Sequence, residues 1–570
     1  MRNFKKNALV MIYVAFLVFL LVGCYRPPVI DDGYRIDSVF NALFKKIDAV
    51  NLKDDFTLPL NMSGVELKYE SSNTSIIKVE MDEENSICLF DVTPPAVAST
   101  SIDISVTLTS NDVTKVKSKT LIVIEQKNVY DIIPYPFQGE MILLSKAAKD
   151  YYGYTGLNPK PNNTDKSQKI LVLPVQFEGR LFSPKNLSDI SKAFFGTSAQ
   201  TGYESVKSYY EKSSYGELNL VGEVLEPYTA SKSYAEYQNQ FSRVASDQTI
   251  IKELMDYHDA SIDFSLYDAN NDGRIDGIYV IYSYDVTFEV VPDNDTRDFW
   301  WAWCSQYRLF PSTTYDGVKP GFYVWAGVDF LYERMISPMY GNPITIPVNA
   351  SVLIHETGHM FGLEDYYDYY PKIGPENGLG GLDMMDSNMG DHCSFSKIML
   401  GWVTPMVVNN TITIKIRPFS DSGDVILIPG EWNGSYFSEY LLIDYYNLNS
   451  LNSIYAGHGL YSNPGVRIYH VSAELGKNTQ NYPSYHYNDN SDTSRKLIKL
   501  LEASNGNNIE SNSNFTQSEI DGVLYTPGSV NVLKGFKWYS SHLGSKDPVF
   551  TIKVTEMNAS GATILITYNW

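Results

Sequence analysis

His355-Glu356-Thr357-Gly358-His359-Met360-Phe361-Gly362-Leu363-Glu364-Asp365 reads H-E-x-x-H-x-x-G-x-x-D, and each fixed letter has a separate chemical task. Two imidazoles four residues apart lie on one face of a helix, within reach of a single zinc ion. The Glu356 carboxylate, beside the first imidazole, is placed to take a proton from a water activated by such an ion. Gly362 gives the helix a stopping place. The chain can then fold back and offer Asp365 as a third ligand, with a fourth position open for water and substrate. The competing reading is an ordinary amphipathic helix whose histidines are merely satisfied polar groups. The flanks weigh against it. Asn349 is a candidate N-cap, and Val352, Leu353 and Ile354 before the second histidine, with Met360, Phe361 and Leu363 after it, are apolar. This predicts a buried helix of about 13 residues. Two imidazoles and a carboxylate inside it are costly without partners, which a metal supplies.

At 570 residues the chain exceeds one ordinary core, and about three or four domains are expected. Composition is globular, 44% hydrophobic and 19% charged, and 43 Tyr with 26 Phe favour many strands. The net charge is −21; leaving out the first 23 residues, which carry Arg2, Lys5 and Lys6 and no acids, makes the remainder −24. Such acidity disfavours binding nucleic acid by phosphate neutralisation. After the basic start, Ala8 to Gly23 is almost wholly apolar, the length of a secretory h-region and short for a span of about 20 residues. It ends Leu21-Val22-Gly23-Cys24, which resembles a bacterial lipobox with Cys24 as the lipidated residue. An uncleaved anchor and plain secretion are the alternatives. All three export the protein, and lipidation places it on the outer side of a bacterial membrane. Of the other cysteines, Cys304 with Cys393 is the pairing to test, against three buried free thiols including Cys88.

Expected organisation follows from patterning. Residues 1–23 are a signal segment and 24–30 a tether. Residues 31–127 alternate short strands and turns, with one helix from Ser38 to Val50, as in a β-sandwich. Residues 128–168, holding Pro134, Pro136, Pro159 and Pro161, read as a linker. Residues 169–405 mix strands (Ile170–Phe177, Ile278–Tyr284) with helices (Asn186–Phe195, Ser205–Glu211, Asp247–His258) around the motif helix. From 406 to 570 the pattern is nearly all strand.

Asp268-Ala269-Asn270-Asn271-Asp272-Gly273-Arg274-Ile275-Asp276 places oxygen groups at positions 1, 3, 5 and 9 of a calcium-type loop, with Gly at 6. Tyr279 stands where an EF-hand has its bidentate Glu, which excludes a full EF-hand. A truncated, structural calcium site at Asp268, Asn270, Asp272 and Asp276 and an Asx-rich turn both remain. His392 either approaches the motif or, lacking ligand spacing, is a loop histidine, the reading favoured; His470 reads as a structural group ending a strand, and His258, His458, His486 and His542 as surface or loop groups.

Several segments resemble one family. Ser205-Val206-Lys207-Ser208-Tyr209-Tyr210-Glu211-Lys212-Ser213-Ser214-Tyr215-Gly216, with Glu217-Leu218-Asn219-Leu220 after it, resembles the approach segment of immune inhibitor A-type metallopeptidases. The zinc stretch is similar to theirs, including Asp365 where metzincins usually carry His. Gly381-Leu382-Asp383-Met384-Met385-Asp386 resembles the family's Met-containing turn, with Leu382 where Trp is expected, and Ser396-Lys397 with Leu400-Gly401-Trp402 resembles its exit from the domain. The likeness covers roughly residues 168 to 570. It implies a zincin-like α/β peptidase domain followed by an all-β domain, with His355, His359 and Asp365 on zinc, Glu356 as general base and Met385 as an apolar floor. Tyr366, Tyr367, Tyr369 and Tyr370 are equal candidates for a tyrosine that steadies the oxyanion. Asp55-Phe56-Thr57-Leu58-Pro59 and Tyr69-Glu70-Ser71-Ser72-Asn73 resemble bacterial immunoglobulin-like modules, which implies a spacer. The expected activity is zinc-dependent cleavage of extracellular proteins or peptides by a membrane-tethered enzyme. A surface-binding lipoprotein with an inactive peptidase domain, and an amidase or other zinc hydrolase, are the alternatives.

Overall fold

The computed structural model describes residues 32–44, 52, 56–83, 85–92, 100–123, 156–240, 243–283, 301–310, 312–333, 344–368, 378–430, 436–456, 461–477, 483–485, 490, 495–504, 522–529, 533, 535–539 and 548–568. The signal segment, Cys24 and the tether lie outside the described residues, as do most of the 128–168 linker, Tyr369, Tyr370, His458, His486 and His542. No helix among the described residues is long and apolar enough to cross a membrane. The chain is multidomain, with mixed α/β content and several sheets, and divides into two compact units, Met1–Val129 and Tyr130–Trp570.

In the first unit, helix α1 (Asp32–Leu43) precedes seven strands: β1 (Phe56–Pro59), β2 (Asn61–Met62), β3 (Val65–Ser71), β4 (Ile77–Asp82), β5 (Ile87–Val92), β6 (Thr100–Ser110) and β7 (Val113–Val123). They form two antiparallel sheets, β1-β5-β4 and β2-β3-β6-β7, which share one apolar core with Ile36, Val39 and Leu43 of α1. Alternation decides which side faces that core: in β3, Val65, Leu67 and Tyr69 are buried while Glu66, Lys68 and Glu70 are exposed. The helix begins earlier than expected, because Asp32 is fixed across the unit by Ser110 Oγ (2.9 Å) and Asn111 Nδ2 (3.0 Å). In strand β7, Lys115 and Lys117 reach Asp37 of α1 at 3.2 and 2.6 Å, so polar residues hold the helix to the sheet.

In the second unit the apolar run at Ile170 lies in β8 (Ser167–Gln176), the middle of a sheet with β9 (Asn219–Val224), β10 (Tyr228–Thr229), β11 (Ile278–Tyr282), β12 (Trp303–Gln306) and β13 (Phe322–Gly327). The order is β10-β8-β11-β13-β12, with β9 also on β8; only β12 runs antiparallel. Strands buried on both faces need continuous apolar sequence, and Ile278–Tyr282 is fully buried. Helices α2 (Pro184–Phe195), α3 (Val206–Ser213) and α4 (Arg243–His258) follow β8, and α5 (Ser351–Met360) is the motif helix. The one-turn α6 (Met384–Ser387) and α7 (Ser394–Met399) lead out of this region.

Strands then dominate. A five-stranded sheet has the order β14 (Met406–Val407), β16 (Val425–Pro429), β17 (Glu439–Tyr446), β18 (Gly465–Ser472) and β19 (Ile498–Leu500). A second sheet places β21 (Gly561–Tyr568) between β15 (Ile412–Ile416) and β20 (Phe550–Asn558). Strands β17 and β18 are buried along their whole length. On one face Leu442, Tyr440, Tyr469 and Val471 join the apolar cluster that includes the motif helix; on the other Leu441, Ile443, Val466 and Ile468 pack with the second sheet. Residues on either side of position 405 therefore share one core.

Cys304 and Cys393 are not bonded to each other, which corrects the pairing; both are free, as is Cys88. Cys304 sits in β12 opposite Val324, whereas the Cys393 sulfur lies 3.8 Å from Ser396 Oγ in its own helical turn. Burial raises the pKa of both thiols, so they act as small apolar groups.

Candidate metal centre

The motif helix is shorter than its hydrophobic flanks suggest. It spans ten residues, and Asn349 acts one residue outside the N-cap, its Oδ1 accepting Ser351 N at 3.0 Å. Two tyrosine hydroxyls fix its position. Tyr279 of β11 donates to Thr357 Oγ1 (2.8 Å), whose own hydroxyl donates to Leu353 O; Tyr210 of α3 donates to Ile354 O (2.8 Å). The Ser205–Gly216 segment is thus physically joined to the motif: Tyr209 also donates to Gly390 O at 3.0 Å, beyond the Met turn.

At Gly362 the chain turns back with φ +91°, a conformation open to glycine, and Leu363 N returns to Gly358 O at 3.1 Å. Asp365 is thereby brought under the helix. Its Oδ1 lies 2.9 Å from His355 Nε2 and 3.3 Å from His359 Nε2. The other ring nitrogens are held by carbonyls: His355 Nδ1 by Met384 O at 3.1 Å and His359 Nδ1 by Leu363 O at 2.8 Å. Donating Nδ1–H to a carbonyl fixes the tautomer that leaves the Nε2 lone pair outward, the arrangement metal-binding imidazoles use. One candidate ligand atom from each of the three residues lies within 4.8 Å of the others; His355 and Asp365 are buried and His359 is partly exposed.

Their electrostatics ask for a cation. Burial opposes charge on His359, yet the Asp365 carboxylate outweighs it and raises the imidazole to about 10; His355 is raised by the same partner against the same burial. Burial works to raise Asp365 too, but the two imidazoles hold it well below the usual carboxylate range. The carboxylate therefore requires a positive partner, either protons on the two histidines or a metal in their place. Two neutral imidazoles and one carboxylate suit zinc. Glu356, also buried, is on the same helix.

Met385 is the floor beneath this helix. A Cβ built on Gly358 would lie 2.4 Å from the Met385 sulfur, so the methionine side chain sits directly against the helix at this glycine. Consecutive carbonyls of the turn hold two ligand segments: Met384 O takes His355 Nδ1, and Met385 O accepts Tyr366 N at 3.0 Å, next to Asp365. Asp383 builds the turn as its N-cap, accepting Met385 N (2.7 Å), Cys393 N (2.5 Å) and Ser396 Oγ (3.0 Å). Burial opposes its charge, but His392, 3.6 Å away, and the Cys393 N–H keep its pKa low. Asp386, buried and accepting the backbone N–H groups of Leu379 (3.1 Å) and Gly381 (2.7 Å), has its pKa raised far up by that burial. Asp383 carries the N-cap signature that an inspection for capping residues finds; the residues that reach the turn from elsewhere carry no local signal.

Several expectations change here. His392 does lie in a loop, after the Met turn, but fully buried beside Tyr209, Tyr210 and Trp402, and His258 is buried instead of lying at the surface. His470 is structural, its Nε2 2.7 Å from Glu439 Oε1. Tyr366 is committed to the core, its hydroxyl 3.1 Å from Ser396 Oγ, whereas the Tyr367 ring stacks along His355 at a centroid distance of 6.3 Å. Of the described tyrosines in that run, Tyr367 is the one whose ring lies along His355.

Asp268, Asn270, Asp272 and Asp276 gather in one turn. Asp268 accepts Asp272 N and Gly273 N, Asp272 accepts Arg274 N, and Asn270 Nδ2 donates to Asp276 Oδ1 at 2.9 Å. Burial pushes Asp276 up to about 8, with Asp272 and Asp268 adding to it. Among the described residues, the carboxylates of this turn do not converge as a metal-holding group the way His355, His359 and Asp365 do. Comparison of the chain with protein-family models and with curated proteins gives no match.

Proposed function

We propose that the chain is a zinc-dependent endopeptidase, with His355, His359 and Asp365 as ligands and Glu356 as general base. The observation that carries this reading is the convergence of two Nε2 atoms and one carboxylate oxygen beside a buried glutamate on the same helix. Zinc bound there would polarise a scissile carbonyl and lower the pKa of a water from near 16 toward about 7. Glu356 then accepts the water's proton and passes it to the leaving amine. His355 and His359 stay in one tautomer because Met384 O and Leu363 O hold their Nδ1–H groups. Strand β12, at the edge of the sheet among the described residues and packed beside the motif helix, offers an extended peptide a partner for strand addition.

The rest of the proposal follows the sequence. The first unit, with two sheets around one core, fits an immunoglobulin-like spacer. Lipidation at Cys24 would hold the enzyme on the outer face of a bacterial membrane, where its substrates are extracellular proteins or peptides. The Asp268–Asp276 turn is carried as a structural calcium site on its spacing of oxygen groups, with Asp272 and Asp268 adding to the burial that raises Asp276. The Glu356→Gln variant tests the central reading. It should retain zinc yet lose casein hydrolysis by roughly 10²–10⁴-fold. Comparable cleavage by the variant would sink the general-base role, and zinc binding with no cleavage by either protein would favour a surface-binding protein with an inactive site.

A further inference from the structure

The strand-rich region beyond residue 405 reaches back to the Met turn with side chains whose polar ends serve that turn. The Tyr455 hydroxyl is shared between Gly381 O (2.7 Å) and Met389 O (3.0 Å), the two flanks of the turn. Its ring lies against Gly390, where a Cβ would come within 2.6 Å of it and where φ is +73°. The Tyr461 hydroxyl donates to Gly380 O at 2.7 Å. Tyr461 does so with φ +43°, a left-handed backbone that bulky side chains rarely adopt and that persists only where the surroundings over-determine it. From the other side Asn490 Nδ2 donates to Tyr366 O (2.7 Å) and to Ile498 O of β19 (2.8 Å), and Gly378 leaves the space for it. All three residues are buried.

We infer that Tyr455 and Tyr461, with Asn490, are positioning residues for the metal centre, so that the strand-rich region is a working part of the site. The inference rests on the zinc-site reading. The route is short: the two hydroxyls fix the backbone of Gly380, Gly381 and Met389, between which lie the carbonyls of Met384 and Met385 that hold His355 Nδ1 and Tyr366 N. Asn490 fixes the carbonyl end of Tyr366, the residue after Asp365. Losing both hydroxyls leaves buried carbonyls without their donors and lets the turn shift, and with it the ligands.

The test uses the full-length protein, zinc and cobalt(II) as probes, and the Tyr455→Phe/Tyr461→Phe double variant with each single variant. Tyr445→Phe is the control: it also removes a hydroxyl on a buried ring, donating to Asn558 O at 3.0 Å, but remote from the Met turn. For the double variant we expect zinc affinity about tenfold weaker, an altered cobalt(II) visible spectrum, and casein hydrolysis reduced in kcat with KM little changed. The control should lose thermal stability only. A double variant with parental zinc affinity and spectrum, whatever its melting temperature, overturns the positioning role while leaving the metal centre standing. If the double variant does not fold, the single variants decide by the same readouts. A parent protein that binds neither metal overturns both.

Discussion

Gly358→Ala is a one-carbon perturbation whose consequence follows from the seat of the Met turn. The added Cβ would lie 2.4 Å from the Met385 sulfur and 3.1 Å from its methyl carbon. Ordinary contact needs about 3.5–4.0 Å, so the sulfur must move by more than about 1 Å. Met385 is fully buried and its side chain has little room to give, so a shift that reaches its backbone would move the carbonyls of Met384 and Met385 that hold His355 Nδ1 and Tyr366 N. Two stability effects oppose each other: alanine gains up to about 1 kcal/mol of helix propensity, and overpacking costs about 1–3 kcal/mol. The fold should survive, with a small net loss. Function should suffer more, since a misplacement of about 1 Å costs on the order of 10²-fold in rate. Casein hydrolysis, zinc retention against a chelator and thermal melting, measured on the same preparation, separate these effects. Adding Met385→Ala should relieve part of the loss. A Gly358→Ala protein with parental rate and zinc retention would refute the seating of the turn against the helix.

Other expectations follow from named groups. Tyr367→Phe should lower kcat while leaving stability close to parental, whereas Tyr366→Phe should cost about 1 kcal/mol of stability through its buried bond with Ser396; paired melting and rate measurements distinguish them. Asp276 holds its proton to about pH 8 in the folded chain and releases it near pH 4 when unfolded. Folding therefore takes up a proton between these values, and stability falls as pH rises through that window, by at most about 1.4 kcal/mol per unit. Asp276→Asn should show a flatter melting temperature against pH; the same slope in both proteins removes Asp276 as the cause. Calcium added at pH 8 should raise the melting temperature of the parent and not of Asp276→Asn, and no rise in the parent counts against the calcium site.

The motif helix was legible because its chemistry and its punctuation are local: His355, His359 and Gly362 sit within one helical segment and its stop. Strands buried on both faces were legible for the same reason, as continuous apolar runs such as Ile278–Tyr282. Strand β12 was not, because Trp303-Cys304-Ser305-Gln306 neither alternates nor runs apolar, and its identity comes from pairing with β13. The motif helix proved shorter than its apolar flanks imply, since those flanks are buried by tertiary packing whether or not they are helical. Of the tyrosines after Asp365, spacing could not separate Tyr366 from Tyr367; only Ser396, thirty residues away, does so. The support from Tyr455 and Tyr461 spans still longer separations, and nothing near the Met turn in sequence announces it.

Zinc bound per chain, determined by elemental analysis after dialysis of the full-length protein and of His359→Ala, tests the central claim most directly. We expect one equivalent in the parent and a loss of most of it in the variant. A parent without zinc, or a variant that keeps the full equivalent, would contradict a metal centre at His355, His359 and Asp365.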